Sequence, residues 1–96
     1  MKYSIIQIWS LGVEDLELKH PIYIGLNHIG LIDYTASFLE AGIMSSGDSI
    51  EEAIENLQDT LVHKFFELSF SGTDFGKKLC RQRNILNDAI ERVSAE

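Results

Sequence analysis

The chain has 96 residues, enough for one domain whose modest core holds a sheet with one or two helices. Hydrophobic residues make up 45% of it, and no apolar run approaches the roughly 20 residues of a membrane-spanning helix, which argues against both a disordered tail and a helical anchor. The net charge of −7 is unevenly placed: residues 1–73 set Lys2, Lys19 and Lys64 against eleven acids, a net −8, whereas residues 74–96 set Lys77, Lys78, Arg81, Arg83 and Arg92 against four acids, a net +1. Such an acidic body repels nucleic acid and draws basic partners.

The start, Met1 to Trp9, has neither the long apolar region nor the small-residue cleavage site of a signal peptide. Cys80 is the only cysteine, so no internal disulfide can form and a cytoplasmic setting is expected. Residues 3–9, with Ile5, Ile6, Ile8 and Trp9, read as a first strand. Residues 11–20 fit either a loop or a continued β-ribbon. After Pro21, Ile22, Ile24 and Leu26 alternate with Tyr23, Gly25 and Asn27, which predicts a strand with the aliphatic side buried. Asn27-His28-Ile29-Gly30 carries turn residues, and Ile32, Tyr34, Ala36 and Phe38 alternate along a return strand. Gly42 interrupts it, Ile43 to Ser46 form a short further strand, and Gly47-Asp48 turn the chain.

Ser49-Ile50-Glu51-Glu52 has the capping-box pattern, in which the serine and the glutamate each satisfy a backbone N–H at a helix start. Asp48, Glu51, Glu52 and Glu55 place negative charge by the positive end of the dipole. Ile50, Ala53, Ile54, Leu57, Leu61, Phe65 and Leu68 recur at spacings of three and four, so the helix runs from Ser49 to about Leu68. Val62 and Phe66 widen its stripe enough for a second contact, with a last helix or another subunit. Residues 69–73 form a linker with Gly72, and Thr73 or Asp74 caps a last helix reaching about Val93, with Phe75, Leu79, Leu86, Ile90 and Val93 apolar and Ile85 and Ala89 beside them.

The order from Tyr34 to Leu57 resembles the HicB-like antitoxin domain, whose fold is a partial ribonuclease H-like α+β unit. Tyr34 to Phe38 match its strand, Gly47, Asp48 and Ser49 its turn, and Glu51, Glu52, Ala53, Asn56 and Leu57 its helix start. The good match covers about a quarter of the chain, and a looser likeness covers most of it. The chain departs from the family in lacking prolines before the short strand, at Leu39-Glu40-Ala41-Gly42, and in leaving room for one helix after residue 74 where many members carry an operator-binding domain. The resemblance implies a non-enzymatic module that sequesters a small basic, HicA-like, mRNA-cleaving toxin, or an orphan member with another protein partner.

Other chemistry finds less support in the residues. Ribonuclease H-type catalysis needs carboxylates converging on two metals roughly 3.5–4 Å apart, and Asp33, Glu40 and Asp48 read instead as solvated or turn acids. His20, His28 and His63 lack the spacing of a helical metal pair, His28 falling in the expected turn and His63 on an exposed helix flank. No phosphate loop is present, and Cys80, despite its basic neighbours, reads as a small packing residue. Trp9, Tyr23, Tyr34 and Phe38 suggest a base-stacking platform, but alternation puts Tyr34 and Phe38 with Ala36 on the core face. The expected fold is α+β: a small antiparallel sheet of three to four strands on one amphipathic helix, residues 1–73, extended by a C-terminal helix, residues 74–96. No catalytic residue, metal or cofactor is expected. A homodimer or higher oligomer is, through an edge strand or the wide helix stripe. The alternative function is an RNA- or nucleotide-binding regulator using Lys77, Lys78, Arg81 and Arg83, and a degenerate nuclease stands third.

Overall fold

Alternating side chains in the first half build a sheet, and the longest apolar stripe at helical spacing lies across it. The computed structural model describes residues 3–29, 33–70 and 76–93. The elements are β1 (Tyr3–Ile8), β2 (Leu16–Leu18), β3 (Ile22–Ile29), β4 (Asp33–Phe38), β5 (Ile43–Gly47), α1 (Ile50–Phe70), α2 (Lys77–Ala89) and β6 (Ile90–Arg92). β1, β3, β4 and β5 form one antiparallel sheet in that order, while β2 and β6 pair in a second, two-stranded one. The α+β architecture is thus the one expected.

The registers Ile8↔Ile22, Ile6↔Ile24, Ile24↔Phe38 and Phe38↔Ile43 line up the inner face of the large sheet. Ile8, Ile22, Ile24, Ala36, Phe38 and Ile43 are buried there, and α1 covers them with Ala53, Leu57, Leu61, Phe65 and Leu68. Each large aliphatic or aromatic side chain so enclosed contributes about 1.5–3 kcal/mol. Among the described residues no helix covers the outer face, whose middle row runs Ile5, Gly25, Ser37, Met44.

α1 sits on β5 and β4 and is stitched to β5 by polar side chains. Asn56 Nδ2 donates to the Ser46 carbonyl at 2.8 Å, and the Ser45 and Thr60 hydroxyls lie 2.8 Å apart. Gly47 makes this approach possible, because a Cβ there would stand 2.7 Å from the Ala53 backbone nitrogen. The β4–β5 reversal is closed by Ala41 and Gly42, whose N–H groups both donate to the Phe38 carbonyl; Gly42, at φ +70°, takes the left-handed conformation that glycine adopts without strain. At the helix start the Ser49 hydroxyl accepts from the Glu52 N–H at 3.1 Å. The Glu52 carboxylate reaches one residue further back than a capping box requires and accepts from the Asp48 N–H at 3.2 Å.

Several elements differ from the reading of the sequence. Asn27 and His28 belong to β3, not to a turn: His28 pairs with Tyr34, and their rings stack with centroids 4.3 Å apart. Ile50 starts the helical stripe but is 45% exposed, and the buried part of the stripe begins at Ala53. Trp9 lies beyond the end of β1 and is exposed. The last helix stops at Ala89, not Val93: the Ile90 N–H makes the last helical bond, to Leu86, and residues 90–92 then extend. Their partner is Leu16–Leu18 in the segment that fitted either loop or ribbon, with Leu18 opposite Ile90. The β-branched side chain of Ile90 prefers a pleated partner, and this tertiary contact overrides the helical spacing. The expected places of Gly30, Ile32, Gly72, Thr73, Asp74 and Phe75 fall outside the described residues.

Gly47→Ala is expected to lower unfolding stability by about 1–3 kcal/mol, since the clash is with backbone that side-chain rotation cannot relieve. Urea denaturation followed by circular dichroism measures this, and an unchanged midpoint would contradict the close strand–helix approach.

Candidate functional site

Two surfaces carry opposite charge. The first is the solvent face of α1, where Glu51, Glu55 and Asp59 recur at i, i+4 with Glu52 beside them, all exposed. Like charges at that spacing oppose helix formation by about 0.2–0.5 kcal/mol per pair. The dipole at the helix start offsets this for Glu51 and Glu52 and fades within one turn, leaving Glu55 and Asp59 without that compensation. At its far end the ridge meets His63, whose Nδ1 lies 3.8 Å from the Asp59 carboxylate; both side chains are exposed, as expected of His63.

The second surface is a cleft of about 430 Å³ between the start of α2 and the β4–β5 turn. Lys77, Lys78 and Arg81 line one wall with Gln82, and Leu39, Glu40, Ala41 and Gly42 line the other. Three of the four cations singled out from the sequence therefore share one site. Arg83 does not, because two residues along a helix turn it to the opposite flank, where it is half-buried. Glu40 faces the three cations and offsets part of their charge.

Gln82 fixes this cleft. It is only 6% exposed, and its Nε2 donates to the Ala41 carbonyl at 3.0 Å, tying α2 to the turn, while its Oε1 is buried without a hydrogen-bond partner. The sequence reading passed over it, although Leu79, Gln82, Leu86 and Ala89 share a 3-4-3 spacing that marks Gln82 as inward-facing. Cys80, one position outside that stripe, is half-buried.

The remaining candidates are dispersed. Asp33 and Asp48 flank the Tyr34↔Gly47 pair at the open end of the β4–β5 hairpin, and Glu40 lies at its tip, so the three carboxylates do not converge. Among the described residues no group of three or more His, Cys, Asp or Glu is placed to hold a metal, and no helix is long and apolar enough to cross a membrane. The four aromatics also part company. Phe38 is in the core and Tyr34 is half-buried on the same face, whereas Trp9 and Tyr23 are 68% and 57% exposed. The Tyr23 hydroxyl accepts from Gln7 Nε2 at 2.9 Å. Compared with protein-family models, curated proteins and solved structures, the chain matches none.

Replacing Gln82 by Leu should leave the Ala41 carbonyl unpaired beneath α2 and cost about 1–3 kcal/mol. Lys77→Ala, on the exposed rim, should change stability by less than about 0.5 kcal/mol. Thermal unfolding of the two variants side by side gives the comparison, and equal shifts would remove Gln82 from its tethering role.

Proposed function

We propose that this chain is a non-enzymatic, antitoxin-type interaction module of the HicB-like kind, which holds a small basic mRNA-cleaving toxin inactive by covering its RNA-binding surface. The observation that carries the reading is the acidic ridge Glu51–Glu55–Asp59 on the outer face of α1. It belongs to a stretch, residues 20–63, that holds seven acids and no Lys or Arg. A surface of one sign speeds encounter with a partner of the other and repels the RNA that competes for that partner. The segment with the family's motif also supports the reading: Asn56 and Gly47, two of the matching residues, are the ones that seat α1 on β5 and so present the ridge.

A second reading, an RNA- or nucleotide-binding regulator, draws support from the three cations sharing the cleft at the start of α2. It is the weaker one, because Glu40 opposes them and the rest of the body is acidic.

One experiment separates the two. The antitoxin reading requires a short basic open reading frame beside the gene, and its absence overturns that reading. The chain is co-expressed with that product, and growth rescue and complex affinity are measured. Reversal of the ridge (Glu51→Lys, Glu55→Lys, Asp59→Lys) should abolish rescue and weaken binding about 100-fold, roughly 1 kcal/mol per charge, while Lys77→Ala with Lys78→Ala and Arg81→Ala leaves both intact. The RNA reading predicts the reverse: a salt-dependent RNA complex lost on removing the three cations and indifferent to the ridge.

A further inference from the structure

The four-stranded sheet has two edges, and they are treated differently. β5 lies under α1. β1 lies at the other end, and among the described residues nothing pairs with its free side. Proteins blunt such edges with lysine, proline, a bulge or a covering segment. Within Tyr3–Ile8 and among the described residues β1 has none of these devices, although Lys2 directly precedes it in the sequence: the strand reads Tyr-Ser-Ile-Ile-Gln-Ile, and its register with β3 runs unbroken from Tyr3↔Asn27 to Ile8↔Ile22. Its outward residue Ile5 is 57% exposed.

Charge decides what belongs there. A second copy brings the same net −7 and is repelled wherever acids face it. Residues 3–13 contain no charged side chain, and neither does the neighbouring strand β3 apart from the titratable His28. A basic partner gains no ion pair from this edge and gains several from the ridge on α1. We infer that β1 pairs antiparallel with β1 of a second copy about a two-fold axis, joining two four-stranded sheets into one of eight. Such an axis, normal to the sheet, keeps both outer faces on one side, so residues of equal parity must meet. Ile5 then lies opposite its own counterpart, or Ile6 does, and within Tyr3–Ile8 every residue that finds its partner inside the strand meets an uncharged one. Because α1 covers β5 and β4, both acidic ridges stay at the far ends of the joined sheet, free for other partners. The inference needs only the chain itself, so it stands or falls apart from the antitoxin reading.

Sedimentation velocity on the purified full chain, from about 1 to 100 µM, should show a monomer–dimer equilibrium with a Kd on the order of 10 µM, as suits a contact smaller than a standard interface. Ile5→Lys should raise that Kd at least tenfold with an unchanged circular dichroism spectrum, and Gln7→Lys, also exposed on the same strand, provides a second break should Ile5→Lys fail to fold. Met44→Lys, on the same face but on β5, should leave the dimer intact. Hydrogen exchange should show the amides of residues 3–8 gaining protection as concentration rises. A monomer at every concentration, species larger than a dimer, dissociation by Met44→Lys as strong as by Ile5→Lys, or protection growing on β5 or α1 instead would each overturn the pairing.

Discussion

The architecture hangs on the approach of α1 to β5. Gly47 lies so close under the first turn that no side chain fits between strand and helix, and Asn56 and Thr60 bind the strand one and two turns further on. With the helix axis fixed in this way, Ala53, Leu57 and Leu61 fall onto the β4–β5 half of the inner face and Phe65 and Leu68 extend the same core. The position of α2 follows, since it packs on α1 at one side and is tied to the β4–β5 turn by Gln82 at the other. An apolar stripe alone would let the helix slide along the sheet. Glycine and three short polar side chains fix where it stops.

What the sequence disclosed, and what it hid, divides along local and non-local lines. Alternation at Ile22–Leu26 and Tyr34–Phe38 and the 3-4 spacing from Ala53 to Leu68 are local patterns, and each became the element it implied. The cap also followed from local chemistry, although Glu52 found the Asp48 N–H instead of that of Ser49. Asn27 and His28 have turn-prone side chains, yet cross-strand partners on β4 keep them extended. Ile90 and Val93 continue a helical spacing, yet a three-residue partner far back in the chain draws Ile90 into a strand. Of the candidate sites, nearness in sequence grouped Lys77, Lys78, Arg81 and Arg83, of which the first three share a cleft and Arg83 lies on the other flank of α2. The closeness of those three to Glu40 and the β4–β5 turn was not legible, because it depends on how two distant elements dock.

The candidate surfaces are spread over the sheet in a similar way. The acidic helix lies over one edge, the uncharged strand forms the other, and the basic cleft opens at the β4–β5 turn. A flat body of 41 × 34 × 19 Å keeps these surfaces apart, so each can be altered with little effect on the others.

The β2–β6 ribbon has a bearing on how the chain acquires its shape. Leu18 and Ile90 meet across some seventy intervening positions, and further bonds join Lys19 to Ala89 and Val93 to Asp15. The β3–β4–β5 meander and α1 rely on near neighbours and can organise as soon as they leave the ribosome. The ribbon has to wait for the last helix to emerge. Until then the core lacks Leu86, Ala89 and Ile90, and Leu18 lacks its partner Ile90, so the nascent protein passes through a stage with part of its oily interior open to chaperones and to other nascent chains.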